Sequence, residues 1–130
     1  MATQRKTIPL AGTCPARGEL TLATKRIRPP FTVRRIRASF PPGCQDHLAL
    51  AIYLSEDPTC PASGPPTGLS ILQEYAATDT LKGDGETKDL ETDLPQPLGG
   101  TWLKVYAANT DWYDHAVDVL LTVDLAEIGA

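Results

Sequence analysis

Two histidines and three cysteines are the side chains of this 130-residue chain best suited to nucleophilic or metal chemistry. His47 opens an apolar stretch and His115 follows Asp114, and no serine or cysteine motif accompanies either histidine. The cysteines have no CxxC pair and no other zinc spacing. We therefore predict no catalytic residue, no metal site and no cofactor, and we expect that the protein is not an enzyme.

Two acidic turns are the alternative sites, in this case for a hard cation such as calcium. Their members are Asp111, Asp114 and His115 in one turn, and Asp79, Asp84 and Glu86 in the other. Neither turn matches a complete EF-hand loop, and Asp is also an ordinary turn former. We therefore expect both clusters to be structural turns.

Trp112 and Tyr113 are adjacent aromatic residues in a predicted loop, where large exposed rings suggest binding. Protein interfaces use such rings as anchors, and carbohydrate-binding sandwiches use them as stacking platforms. A carbohydrate site predicts Trp102 on the same surface, whereas an assembly site predicts rings that are covered by another chain. The structural alternative is that the pair folds back over the core.

The net charge of −4 conceals a strong asymmetry along the chain. Residues 1–40 contain nine basic residues and one acid, a net charge of +8, whereas residues 41–130 contain three lysines and fifteen acids, a net charge of −12. Such opposed halves favour contacts within one fold or between copies. The basic segment is interleaved with prolines and has few aromatic residues, which argues against a nucleic-acid partner.

Short β-rich runs separated by twelve prolines and ten glycines predict an all-β fold. Alternation of apolar and polar residues is clearest in the runs 31–40, 86–94 and 116–125. The run 70–75 would also tolerate a helical turn. The eight predicted strands are 6–11, 19–24, 31–40, 47–55, 70–75, 86–94, 101–108 and 116–125.

In the number and spacing of its strands, the sequence resembles jelly-roll proteins, which include viral capsid and head decoration proteins. The resemblance implies an eight-stranded antiparallel β-sandwich whose third and sixth strands are neighbours. Arg35 and Arg37 would then lie beside Asp89 and Glu91 as a charge ladder. The loops with Cys14 and Cys44 would lie at one end and Cys60 at the other, so Cys14–Cys44 would be the disulfide if one formed.

We expect a single domain over residues 1–130, with an N-terminal arm of about residues 1–5. No signal peptide and no membrane-spanning run is visible. The expected function is a non-enzymatic assembly protein of a virion, a phage capsid or head decoration component, that binds other subunits as a homo-oligomer. The alternative is a carbohydrate- or ligand-binding β-sandwich module, cytoplasmic or extracellular. The predicted interface residues are Arg5, Lys6, Arg26, Arg28, Trp112 and Tyr113.

Overall fold

Period-two alternation, interrupted by proline and glycine turns, folds the described part of the chain into nine β-strands. The structure, a computed structural model, describes residues 3–43, 47–57, 59–60, 64, 66, 68–72, 80–96 and 100–126. The strands are β1 (Thr3–Cys14), β2 (Glu19–Ala23), β3 (Phe31–Phe40), β4 (Leu48–Ser55), β5 (Leu69–Ser70), β6 (Leu81–Lys82), β7 (Glu86–Gln96), β8 (Trp102–Asn109) and β9 (His115–Ala126).

The strands form two sheets that pack face to face. Sheet I has the order β1-β9-β3-β7, and sheet II has the order β2-β8-β4-β5, with β6 also paired to β4. All the pairings are antiparallel. Without the short β6 this is the strand order of a jelly roll, so the predicted all-β antiparallel sandwich is confirmed. No helix in the described residues has the length and apolar character needed to cross a membrane.

The core lies between the two sheets and is built from alternate residues of the long strands. Ile36 of β3 and Leu121 of β9 project from sheet I, while Ile52 of β4 and Val105 of β8 project from sheet II, and all four are fully buried. In β4, Ala51 on the opposite face is also buried. β4 is therefore covered on both faces at this position.

The region after the long loop differs from the predicted strand 70–75. β5 has only two residues, and Ile71 and Leu72 adopt helical geometry, while residues 73–75 lie outside the described residues. Ile71 and Leu72 are both fully buried. A strand would point one of these two side chains away from the core, whereas a helical turn can bury both. β6 is not among the eight predicted strands, and it lies between Asp79 and Asp84 of the second acidic turn.

The N-terminal segment is part of sheet I. β1 pairs with β9 from Thr3, opposite Ala126, to Cys14, opposite His115. The prediction of an arm over about residues 1–5 is therefore wrong for residues 3–5, and residues 1–2 lie outside the described residues. The Arg5 guanidinium lies 2.9 Å from the carboxylate of Asp124 on β9, which anchors this stretch to the sheet.

The loop between β4 and β5 crosses the outer face of sheet II. The Lys104 ammonium of β8 donates a 2.6 Å hydrogen bond to the Thr59 carbonyl, and the Gly64 amide donates to the Glu19 carboxylate at 2.9 Å. Tyr106 donates to the same carboxylate. Lys104 is fully buried although alternation points it outward. The loop therefore covers part of this face, whereas the outer face of sheet I carries exposed charges.

Candidate functional site

Trp112 and Tyr113 lie in the turn between β8 and β9, at the end of the sandwich that we call the Trp112 end. Each residue keeps 74% of its surface exposed. Large exposed apolar groups are unusual in a monomeric protein and mark candidate binding sites. The alternative that these rings fold back over the core is wrong, because they project into solvent.

The backbone of this turn is held by Asn109, a buried residue at the end of β8. Its side-chain amide donates to the Tyr113 carbonyl at 2.7 Å and to the Pro15 carbonyl at 3.2 Å. Its side-chain oxygen accepts the Asp111 amide at 2.9 Å, and the Asp111 carboxylate accepts the Trp112 amide at 2.7 Å. These bonds fix the path of the chain at both aromatic residues.

The β1–β2 loop braces the turn from the side. The Asp114 carboxylate accepts the Ala16 amide at 2.7 Å, and the Arg17 amide donates to the Asp111 carbonyl at 2.9 Å. The Arg17 guanidinium lies 4.4 Å from the centroid of the Trp112 ring, a distance at which cation–π attraction is effective. Arg17 has a φ of 51°, a left-handed conformation that is uncommon for a residue other than glycine.

Both histidines also contribute to loop structure at the Trp112 end. His115 Nε2 lies 2.9 Å from the Asp111 carboxylate, and this hydrogen bond is the main reason that the pKa of Asp111 is lowered. His47 Nδ1 lies 3.1 Å from the Thr110 hydroxyl. Within the described residues, no three His, Cys, Asp or Glu side chains converge as a metal site. Of the second acidic turn, Asp79 lies outside the described residues.

Cys14 is a buried thiol at the end of β1. Its sulfur lies 3.5 Å from the Gly18 carbonyl, and burial is the first cause that raises the pKa of the thiol to about 11, followed by the charges of Glu19 and Asp114. A thiol with this pKa is protonated near neutral pH and is a poor nucleophile. The Cys14–Cys44 disulfide stays a prediction, because Cys44 lies outside the described residues.

The outer face of sheet I carries the expected charge ladder between β3 and β7. The strand register places Arg35 opposite Glu91 and Arg37 opposite Asp89. The Arg35 guanidinium reaches diagonally to Asp89 and makes two bonds of 2.6 Å, and Arg37 approaches the same carboxylate at 3.3 Å. The Arg35 hydrogen bond is the largest cause of the lowered pKa of Asp89. Asp89 is therefore the centre of this ladder.

A second row of charges crosses the four strands of sheet I through Arg34. The register of β3 shifts between Val33 and Arg35, so this bulge places Arg34 and Arg35 on the same face. Arg34 lies 2.8 Å from both Asp93 of β7 and Asp124 of β9, and Asp124 also binds Arg5 of β1. Arg34 was not among the predicted site residues. Its signal in the sequence is the arginine pair that interrupts the alternation between Val33 and Ile36.

Asp124→Asn should lower the melting temperature by several degrees at pH 7 and should flatten its decline in acid. Hydrogen bonds from Arg5 and then Arg34 are the main causes that lower the pKa of Asp124 in the folded protein. The stabilisation is therefore present above the unfolded pKa of about 3.9 and is lost as the pH falls through the lower folded pKa. Thermal melts between pH 7 and pH 2 should show the two proteins converging in acid. Asp118→Asn, on the same face of β9, is the control and should melt like wild type.

The other predicted interface residues lie at the opposite end of the sandwich. Lys6, Arg26 and Arg28 line a groove between β1 and the β2–β3 connection. Trp102 is also at that end, 5.7 Å from the Arg26 guanidinium, and is separated from the Trp112 end by the length of β8, about 25 Å. The three-ring platform expected of a carbohydrate site is therefore not formed by Trp102, Trp112 and Tyr113.

The chain matches no family model and no curated protein. Solved structures with a similar fold include the disulfide-linked pili of Bacillus endospore appendages, at 11% identity and a TM-score of 0.49 over 95% of this chain and 88% of that one. The structure of infectious bursal disease virus, Gx strain, has 12% sequence identity and a TM-score of 0.46, over 98% of this chain and 33% of that one. A family two carbohydrate esterase from Cellvibrio japonicus has 13% sequence identity and a TM-score of 0.44, over 96% of this chain and 35% of that one. Likenesses at this level assign neither a family nor a function.

Proposed function

We propose that this protein is a non-enzymatic structural subunit that binds neighbouring protein chains in an assembly such as a virion, as a capsid or head decoration component. The observation that carries the proposal is the Trp112 end, where Trp112 and Tyr113 are each 74% exposed beside Arg17. Tryptophan, tyrosine and arginine are the residue types most enriched among the residues that dominate protein interfaces. Here all three lie in one cluster.

The rigidity of the turn strengthens this interpretation. Asn109, Asp111 and Asp114 hold the backbone of both loops by hydrogen bonds, so the aromatic residues are presented before any partner arrives. Binding then requires little ordering of the backbone, which is one of the main costs of association. Exposed rings on a fixed turn are therefore suited to enter a pocket on another chain.

Two features of the described residues support a role without catalysis. The Cys14 thiol is buried, and its raised pKa keeps it protonated. His47 and His115 are engaged with Thr110 and Asp111 in the turns that they brace. The Thr110 hydroxyl in turn donates to the His47 carbonyl at 3.3 Å, which closes a local loop of hydrogen bonds. The two histidines thus stabilise the loops at the end of the sandwich that carries Trp112 and Tyr113.

The test compares wild type with the double variant Trp112→Ala/Tyr113→Ala. Assembled particles from the native source are mixed with each purified protein, and the bound fraction is measured by density-gradient sedimentation. Each truncated anchor should cost about 2 kcal/mol or more, which weakens binding about 30-fold. The matched control, Trp112→Phe/Tyr113→Phe, keeps an aromatic ring at each position and should retain most of the binding.

A carbohydrate- or ligand-binding module is the second candidate, because exposed indole and phenol rings also stack on sugars. It predicts a wild-type protein that stays free of particles at every concentration and binds a glycan array through Trp112. That combination would refute the assembly function. Equal particle binding by the wild type and the alanine double variant would show that the Trp112 end is not the contact.

A further inference from the structure

Two grooves open on opposite sides of the sandwich, and their charges are opposite. The first, which we call the basic groove, lies between β1 and the β2–β3 connection, with Ile8, Leu10 and Ile27 among its apolar residues. Its charged lining residues are all cationic: Lys6, Lys25, Arg26 and Arg28. The described residues that line it include no acid, so it suits an apolar surface with carboxylates at its border.

The second groove, the acidic groove, lies where β4 and β7 end on the other side. Leu54, Leu69 and Leu94 supply its apolar surface, and Glu56 and Asp57 are its charged lining residues. Leu69 is 44% exposed and is one of three large apolar residues that the described part of the chain leaves exposed. The other two are at the Trp112 end. The acidic groove is therefore complementary in charge to the basic groove, and both grooves also present apolar surface.

The two grooves lie at the same level along the strands. Phe31 at the start of β3 pairs with Gln96 of β7 on one side and with Leu125 of β9 on the other. Gln96 lines the acidic groove and Leu125 lines the basic groove. A copy placed beside the first, without rotation, therefore brings an acidic groove to the height of a basic groove.

The strand directions suit the same arrangement. Among the described strands, β1 and β7 are the two edges of sheet I, each with one neighbour. Three successive antiparallel pairings separate them, so β1 and β7 run in opposite directions. The β7 edge of one copy would thus meet the β1 edge of the next as an antiparallel neighbour. Unpaired edges of this kind are ready templates for association.

We propose that copies of this chain associate side by side, with the basic groove of one copy docked on the acidic groove of the next. The contact joins two different surfaces, so it leads to a row or a closed ring, depending on the rotation between copies. It uses none of the residues at the Trp112 end and goes beyond the function proposed above. Either contact can therefore fail without the other.

Charge reversal on each side provides the test. Lys25→Glu/Arg28→Glu cancels the net charge of the described residues that line the basic groove, and Glu56→Lys cancels that of the acidic groove. All three positions are exposed. Wild type should associate in sedimentation velocity runs at about 0.01 M salt and dissociate at about 1 M, where the Debye length falls from roughly 30 Å to 3 Å. Each reversed protein alone should bind itself at least tenfold more weakly.

An equimolar mixture of the two reversed proteins should recover association, because the unaltered basic groove of one protein can then dock on the unaltered acidic groove of the other. Trp112→Ala/Tyr113→Ala is the control and should associate like wild type. Circular dichroism melts verify that every variant is folded. A wild-type protein that stays monomeric at low salt, or reversed proteins that associate as strongly as wild type, would overturn the proposal.

Discussion

Leu121→Ala should reduce the free energy of unfolding by roughly 2–5 kcal/mol, the range for a buried leucine that leaves a cavity. Leu121 is fully buried and lies in β9, the strand that pairs with both β1 and β3. Ile8 and Ile36 are its cross-strand neighbours. The substitution therefore removes packing contacts that involve three strands of sheet I. Urea unfolding followed by circular dichroism measures the change.

Leu120→Ala is the matched control, because its side chain is only partly buried and points to the outer face of the same strand. Its expected cost is below about 1 kcal/mol, as for partly exposed positions in general. Equal losses for the two variants would contradict the assignment of faces in β9. A shift of one residue in strand register would exchange the inner and outer side chains.

Lys104→Glu should be comparably damaging, with a loss of about 3–5 kcal/mol, as when a buried charge is left without a partner. The lysine ammonium is fully buried and donates to the Thr59 carbonyl, an acceptor that repels a carboxylate. Glu19, which binds the neighbouring Tyr106, adds a further negative charge on this face. Thermal melts measure the loss, and limited proteolysis reports whether the 56–68 loop has opened.

Lys104→Met separates the effect of charge from the effect of volume. It keeps a long apolar side chain under the loop, so the protein should stay folded, while the Thr59 carbonyl loses its charged donor. Cleavage in the 56–68 loop should increase with little change in melting temperature. A glutamate variant that melts like wild type would show that the loop does not enclose this position.

The long strands were predictable because their alternation is local. β3 has the predicted bounds Phe31–Phe40, and β7, β8 and β9 differ from prediction by at most two residues at an end. The pairing of β3 with β7 followed from the jelly-roll order, which placed Arg35 and Arg37 beside Asp89. These features depend on patterns within a strand or on the order of strands in one fold.

Features that depend on contacts between distant segments were not predictable in the same way. The alternation of β8 points Lys104 outward, and only the arrival of the 56–68 loop buries it. The extension of β1 to Thr3 depends on β9, from the far end of the sequence. A single sequence offers no local pattern for either contact.

The sequence predicted the two aromatic residues of the candidate site but not the arginine that lies against one of them. Trp112 and Tyr113 were singled out from their place in a loop, and the structure places both in solvent. Arg17, which stacks on Trp112, was missed because it is nearly a hundred positions away in the sequence. The predicted basic residues lie elsewhere, with Arg5 in an ion pair on sheet I and Arg26 in the basic groove.

The place of β9 between β1 and β3 has a consequence for synthesis on the ribosome. Of the described strands, β9 is made last, yet it is the only described neighbour of β1 in sheet I and one of the two neighbours of β3. Pairings between such distant segments form slowly, because a long loop must close first. Sheet I therefore cannot be completed before β9 emerges from the ribosomal tunnel, and nascent chains that have not yet exposed β9 lack the finished sheet that side-by-side association requires.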